Sequence, residues 1–428
     1  MPTLEMPSIT SSEPSVLIDA PEWFTTLQKQ SWETFLAAPA PSRKNETWRF
    51  GELKQLNFDS FQAAATAEGD DIEIEVNGLE ETSAQFIFAN DSTVHAQADL
   101  PEGVICMPLE DALNEHSELV QKHLLQQEVK LGSEKYAALH AANLSNGLFV
   151  YVPKGVEIEK PIEAYHIVSG TDVAIFPHTL IVTEENAKVS VVDYFTTAGD
   201  EVSLVIAMND LVSNNGSKLN YVAIQTLNTN SKMIQLGSTT VQRDARAKSF
   251  VLNTGAAWAR NESYSTLAGN GAHSDMLSLN VPNAEQRYDQ RTFQHHAAPH
   301  TYSDLLYKNT LYGNAKTVFS GLITVDEGAH YTDAYQTCRN LLMSDTTEAN
   351  SMPGLQINAD QVKCSHGSTA ASISDEEIFY LQARGIHPKT ARQLIARGFS
   401  IEVIERLEDE ALETLVLRYL DEKFNELD

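Results

Sequence analysis

Short runs of strand-forming residues dominate the middle of this chain, and they restrict its fold more than any other feature. From about Gly147 to about Lys363, apolar and β-branched residues gather in runs that recur at intervals of roughly 10 to 20 residues, with glycines among the connections. The clearest runs are 149–152, 173–176, 179–182, 188–192, 202–206, 218–224, 248–252 and 316–319. Such a series is typical of a β-helix, a sandwich or a jelly roll, and the pattern alone does not separate the three.

The N-terminal third has a mixed character. A helical stripe of apolar residues predicts a helix over 21–36, and a longer leucine-rich stretch predicts helix from Pro108 to about Asn143. Alternating apolar and polar residues predict strands over 71–76 and 84–88. We therefore expect residues 1–145 to form an α+β region.

The C-terminal end is helical by every local signal. Ser374 and Glu377 form a capping box, and Gly385 is placed to end the helix that they begin. Two further helices are predicted, one over 388–397 ending at Gly398 and one over 401–427 opened by Ser400. The chain should thus be divided into an N-terminal region 1–145, a β core 146–370 and a C-terminal helical domain 371–428.

Composition and charge limit the surroundings and the partners of the protein. With 428 residues, of which 42% are hydrophobic, the chain can build a substantial core. The formal charge of −29, from 59 acidic and 30 basic residues, argues against nucleic acid or an anionic membrane as a direct partner. No apolar run of about 18 residues is present, and residues 1–7 lack the features of a signal peptide. We expect a cytoplasmic protein without membrane insertion.

Cys364 and His366 are the best candidates for chemistry. Side chains two residues apart in an extended segment project from the same face, so a thiolate and an imidazole there could share one metal ion. A closed structural zinc site needs four protein ligands, and this segment offers two. The competing interpretation, favoured by spacing alone, is a small buried cysteine beside a hydrogen-bonded histidine. The other cysteines, Cys106 and Cys338, are interpreted as packing, and Cys338 could also face the same site.

Three histidines close in sequence form a second candidate. His295, His296 and His300 lie within six positions, which is compatible with a metal site but matches no zincin motif. In a β-rich core such histidines more often hydrogen-bond to the backbone in a stacked ladder, and we favour that interpretation.

The sequence lacks the motifs of several common enzyme classes. The chain contains no P-loop, no Gly-x-Ser-x-Gly elbow and no dinucleotide fingerprint, so no nucleotide should bind to it. Two alternatives stay open. One is a cysteine-dependent hydrolase that uses Cys364 and His366. The other is a β-helix hydrolase or lyase acting on polysaccharide, for which Asp326 with Glu327 or Asp333 is a thin basis.

Several motifs along the chain resemble one family. They are the Pro-Ser-Arg-Lys-Asn-Glu-Thr-Trp-Arg stretch 41–49, the Leu-Phe-Val-Tyr-Val-Pro-Lys-Gly run 148–155, the Asn-Leu-Leu-Met-Ser run 340–344, the Lys-Cys-Ser-His-Gly turn 363–367 and the Phe-Tyr-Leu helix around 379–381. Together they resemble the SufB/SufD family of the SUF iron–sulfur cluster assembly machinery. Ser-His-Gly after Cys364 and the presence of only three cysteines resemble the SufD branch.

The resemblance implies a fold and a function. It selects a right-handed parallel β-helix core, and it implies a non-catalytic scaffold subunit. Such a subunit would pair through its β-helix with a SufB-like paralogue, while the C-terminal helices would dock a SufC-like ABC ATPase. Apart from the resemblance, the edges of a β-helix would permit a homodimer in isolation, and the sequence leaves open whether one forms.

The resemblance also implies a cargo and its ligands. A transient iron or iron–sulfur cluster would be held at the subunit interface, with His366 as the principal ligand from this chain and Cys364 as the second. Closing of two ATPases on ATP would strain the scaffold and expose those ligands.

Overall fold

A computed structural model describes residues 8–14, 19–65 and 76–427 of the chain. The strand predicted over 71–76 falls, except for Val76, outside these residues. Within them, no helix is long and apolar enough to cross a bilayer.

The N-terminal region is α+β, as predicted. It contains the helices α1 (Glu22–Ala37), α2 (Leu109–Glu115), α3 (Ser117–His123) and α4 (Glu134–Asn143) and the strands β1 (Gln62–Ala63), β2 (Ala84–Ala89), β3 (Ser92–Ala98) and β4 (Ile105–Pro108). Single-turn 3₁₀ helices cover Glu46–Trp48 and Leu53–Leu56. The prediction of one long helix from Pro108 to Asn143 is wrong, because non-helical backbone at His116 and left-handed backbone at Leu125 and Gly132 divide it into three.

The middle of the chain is a parallel β-solenoid of about eight turns. Its strands are β5 (Gly147–Val152), β6 (Ile162–Val168), β7 (Val173–Ile175), β8 (His178–Thr183), β9 (Lys188–Thr197), β10 (Ser203–Ser213), β11 (Lys218–Gln225), β12 (Lys232–Val241), β13 (Arg246–Asn253), β14 (Trp258–Leu267), β15 (His273–Asn280), β16 (Arg287–His296), β17 (Tyr302–Leu311), β18 (Lys316–Val325), β19 (Asp333–Leu342), β20 (Glu348–Ile357) and β21 (Lys363–Ser372). Sheet A runs β20-β18-β16-β14-β12-β10-β8-β5-β4, and sheet B runs β21-β19-β17-β15-β13-β11-β9-β6-β2-β3. In-register parallel pairing of alternate strands confirms the β-helix against the sandwich and the jelly roll.

The interior of the solenoid changes along its axis. The first turns are filled by aliphatic and aromatic side chains, whereas later turns stack buried amides on one another. Asn253 donates to Asn280 at 2.7 Å, and Asn309 donates to Asn340 at 2.8 Å, each pair being neighbours in register. These inward amides satisfy one another, so polar residues are tolerated in the core. They also break the apolar alternation, which is why strands such as β15 and β17 were not predicted.

The C-terminal helices pack on the outer face of sheet B. They are α5 (Asp375–Gln382), α6 (Pro388–Ile404) and α7 (Glu410–Glu426), with a 3₁₀ turn over Glu405–Leu407. Leu306 and Leu341 of the sheet cluster with Ile404 of α6 and Leu415 of α7. Burial of these apolar faces fixes the helices on the core.

Local signals placed the first of these helices correctly and the second incorrectly. The Ser374 hydroxyl accepts from the Glu377 backbone amide at 3.3 Å, and Gly385 adopts a left-handed φ of 83° after the helix, as predicted. The predicted break at Gly398 is wrong, because α6 continues through it to Ile404. Ser400 does not open a helix; its buried hydroxyl donates to the Ala396 carbonyl within α6.

The actual start of α7 provides a test. The Asp409 carboxylate accepts from the backbone amides of Ala411 at 3.1 Å and Leu412 at 3.2 Å. Asp409→Ala should destabilise the C-terminal helices by about 1 kcal/mol, because two amides of the first turn lose their acceptor. Urea unfolding followed by circular dichroism measures this loss. The exposed neighbour Glu410 is the control, and an equal loss in Glu410→Ala would contradict the capping role.

Candidate functional site

Cys364 and His366 lie on β21, the last strand of the solenoid. Residues 363–367 were predicted as a turn, and the prediction is wrong, because the segment is extended over the whole of Lys363–Ser372. β21 pairs in parallel with β19 on one side, and no strand pairs with its other side in the described part of the chain. The two candidate ligands therefore stand on an open edge of sheet B.

Register decides which way these side chains face. Cys364 is the register partner of Ala334, and His366 is the register partner of Gln336. Ala334 and Gln336 are buried in the solenoid interior, at 0% and 1% exposure. Because register neighbours in a parallel sheet project from the same face, Cys364 and His366 both continue interior columns. Both columns end at the open end of the solenoid, and the shared face of the two residues agrees with the i and i+2 argument.

The environment of Cys364 suppresses its ionisation. The side chain is half-buried and packs beside an apolar cluster that includes Ile323 and Val325. Burial raises the pKa of the Cys364 thiol, and the neighbouring Asp333 carboxylate raises it further. Among the described residues, no hydrogen bond joins this thiol to the imidazole of His366. The geometry therefore lacks the activated thiolate that a cysteine-dependent hydrolase needs.

A metal ion would find an incomplete ligand set on this chain. The described residues contain no group of three or more histidine, cysteine, aspartate and glutamate side chains that could hold a metal. Cys364 and His366 supply a soft sulfur and an imidazole nitrogen, which suit iron and iron–sulfur clusters. Further ligands would have to come from another molecule at the open edge.

The two remaining cysteines are separate from this edge. Cys338 is fully buried in the solenoid next to the amides of Asn309 and Asn340, and burial raises its pKa to about 11. Cys106 is half-buried in β4, where burial raises its thiol pKa. Both agree with their interpretation as packing residues.

The three neighbouring histidines do not form one site. The imidazole of His295 lies 2.8 Å from the Asp326 carboxylate. His296 points to the opposite, interior face, where it bonds to Thr301 and Ser303 and where burial lowers its pKa to about 3. His300 instead stacks its ring on Tyr331, with centroids 4.8 Å apart. The histidines are hydrogen-bonded or stacked, as favoured, although the partners of His295 and His296 are side chains rather than backbone carbonyls.

An exposed aromatic patch on the C-terminal helices was not anticipated. Phe379 and Tyr380 on α5 are 69% and 56% exposed, and Leu394 on α6 is 47% exposed. Only Ile378 of α5 is buried, so Phe379 and Tyr380 face away from the core. The Arg384 guanidinium lies 3.6 Å from the ring centroid of Tyr380 and holds it at the surface. Exposed aromatic groups of this size commonly mark an interaction site.

Comparison with known proteins agrees with this architecture. Residues 166–399 match the family model of the SUF system FeS cluster assembly SufBD core domain, and residues 12–164 match the SufBD protein N-terminal region. The iron–sulfur cluster assembly protein SufD of Bacillus subtilis is 25% identical over 414 residues, which cover 94% of each chain. SufD of Escherichia coli is 28% identical over 400 residues, covering 92% of each chain. The chain therefore belongs to the SufBD family of SUF iron–sulfur cluster assembly proteins.

Proposed function

We propose that this protein is a non-catalytic scaffold subunit that holds a nascent cluster, or its iron, at an interface with a SufB-like paralogue. The observation that carries the proposal is the position of Cys364 and His366 together on an edge strand at the open end of the solenoid. A two-ligand half-site on an open edge is suited to completion by a partner.

The open end offers a docking surface for that partner. β20 and β21 are each 10 residues long, they end the two sheets, and every residue of both is half-buried or exposed. Their free backbone N–H and C=O groups form two parallel templates for strand addition. A paralogue with the same solenoid could continue both sheets and bring its own ligands to the cargo. Two copies of this chain would pair through the same edges when the paralogue is absent.

The ligand chemistry suits a cargo that must be released. The proposal makes His366 the principal ligand from this chain and Cys364 the second. Because burial and the Asp333 carboxylate raise the pKa of the Cys364 thiol, iron would have to displace the thiol proton to bind this sulfur. Few ligands from each subunit would leave the cluster labile.

The aromatic patch is the proposed contact for a SufC-like ATPase. Phe379, Tyr380 and Leu394 are exposed on helices that are otherwise anchored to sheet B. Through this anchor, movement of bound ATPases could be transmitted to β19 and β21. No nucleotide site on this chain is needed for such gating.

Anaerobic co-purification tests the scaffold proposal. The tagged full-length chain, expressed in its own host, should recover a P-loop ATPase and a SufB-like subunit, with visible iron–sulfur absorption. The Phe379→Asp, Tyr380→Asp double variant should recover at least about tenfold less ATPase than the wild type, because two charges replace the apolar contact. Leu36→Asp, an exposed apolar residue on α1, is the matched control. A colourless protein recovered without either partner would contradict the scaffold proposal.

A further inference from the structure

Buried hydrogen bonds connect His296, Ser303, Gln294 and Gln336 in the solenoid interior. Gln336 is the register neighbour of His366. Gln294 donates from its amide nitrogen to the Ser303 hydroxyl at 2.8 Å and to the Tyr335 backbone carbonyl at 3.1 Å. Gln336 in turn donates from its amide nitrogen to Oε1 of Gln294 at 3.4 Å. His296 is hydrogen-bonded to the same Ser303 hydroxyl, with its Nε2 at 2.8 Å.

One backbone group fixes which atoms donate and which accept in these hydrogen bonds. The Tyr335 carbonyl oxygen can only accept, so the Gln294 atom that faces it must be the amide nitrogen. Oε1 of Gln294 therefore faces Gln336 and accepts a hydrogen bond from its amide nitrogen. As a result, Oε1 of Gln336 is a buried acceptor that no donor in the described structure satisfies.

Only one ladder neighbour of Gln336 can donate to that oxygen. On β17 its register partner is Leu305, which has no polar atom, and on β21 its partner is His366. The same sheet already joins register partners through side chains, as in Asn253 with Asn280 and Asn309 with Asn340. The spacing of neighbouring strands thus permits a bond between positions 336 and 366.

The space for this amide is provided by a glycine. A Cβ atom at Gly321 would lie 2.2 Å from Nε2 of Gln336, so any other residue there would displace the amide. His366 itself is exposed, and its imidazole is not hydrogen-bonded in the structure. Rotation of its side chain can therefore bring a ring N–H over Gln336 without breaking another bond.

We propose that Gln336 is a positioning residue for His366, accepting one ring N–H through Oε1 so that the other ring nitrogen is held as a lone-pair donor towards the open edge. The bond would satisfy the buried Oε1 of Gln336, and it would hold the exposed imidazole of His366 in one orientation. Such a partner orients a metal-binding imidazole and increases its basicity. The metal-binding consequence rests on the proposed function, whereas the hydrogen bond does not.

The experiment is NMR spectroscopy of the full chain labelled with ¹⁵N-histidine. His366 is assigned by the signals lost in His366→Gln. In the wild type we expect one dominant ring tautomer, and in Gln336→Met, which lacks the acceptor, we expect the tautomer mixture of a solvent-exposed imidazole. Gln336→Glu keeps an oxygen acceptor but loses the donor to Gln294, and it should restore the single tautomer in spectra recorded at a pH where the imidazole is neutral. Thr310→Val is the matched control, because its buried hydroxyl is also unpaired but lies on the outer face of sheet B, in register with Leu341.

The outcomes separate the two proposals. A mixed tautomer in the wild type, or identical His366 signals in the wild type and Q336M, overturns the positioning role; the first measurement stands even if Q336M fails to fold. A changed tautomer together with an iron content lowered about tenfold in the co-purified complex supports it. If the tautomer changes but His366→Ala leaves the iron content intact, the hydrogen bond is established and the proposed function is what fails.

Discussion

His366→Ala should lower the iron–sulfur content of the co-purified complex by at least about tenfold while leaving the fold intact. The expected loss is large because His366 is the principal ligand that this chain offers, and the described residues contain no third ligand to replace it. The fold should survive because the side chain is exposed at an open edge and makes no hydrogen bond to the described residues. Iron and acid-labile sulfide, measured anaerobically per complex, give the result.

A second exposed histidine provides the control for this experiment. His330 lies on the connection that precedes β19, and its Nδ1 is 3.1 Å from the Asp360 backbone carbonyl. His330→Ala should leave the cluster content unchanged within about twofold, since the residue faces no interior column. Cys364→Ser should fall between the two, because an oxygen replaces a second ligand. Normal cluster content in a stable His366→Ala complex would contradict the ligand role.

Arg260→Met should destabilise the protein by about 3–5 kcal/mol and loosen the N-terminal region from the solenoid. Arg260 is fully buried, and its guanidinium pairs with Glu262 at 2.7 Å and with Asp289. It also donates to the backbone carbonyls of Thr47 at 3.1 Å and Leu131 at 2.8 Å. Removing it leaves the buried Glu262 carboxylate without its cation and Asp289 with Arg291 alone, and it releases the contacts that join the N-terminal region to the solenoid.

Tryptophan fluorescence during urea unfolding is the measurement for this prediction. The Trp48 ring centroid lies 3.7 Å from the Arg260 guanidinium carbon, so the part of the emission of the four tryptophans that is lost in Trp48→Phe reports the joint. In Arg260→Met this emission should change at a lower urea concentration than the circular dichroism of the β core. Arg243→Met, which breaks an exposed ion pair with Asp244, should cost less than about 1 kcal/mol. An equally small cost in Arg260→Met would show that the joint is held by apolar packing alone.

Local chemistry in the sequence was sufficient for many of the helices and strands. Strand runs such as 218–224, the helix that begins near Pro21 and the Ser374 cap all appear where they were predicted. These features depend on residues close in sequence, whose spacing and hydrogen bonds are local. The choice of a β-helix among three β architectures needed the family resemblance, because pairing between strands some thirty residues apart leaves no local signal.

Contacts between distant residues decided the rest. Gly398 reads as a helix stop but lies within α6, since packing of Ile404 on sheet B outweighs the conformational preference of one glycine. The predicted turn at 363–367 is strand because β19 offers ten in-register partners.

The sequence by itself determined that Cys364 and His366 would share one face if their segment were extended. Only the tertiary structure decided that this face continues interior columns at an unpaired edge, and that Gln336 lies beneath His366. The physical reason is the stacking of the solenoid, which brings residues 30 positions apart into register through backbone hydrogen bonds rather than through any local pattern of side chains.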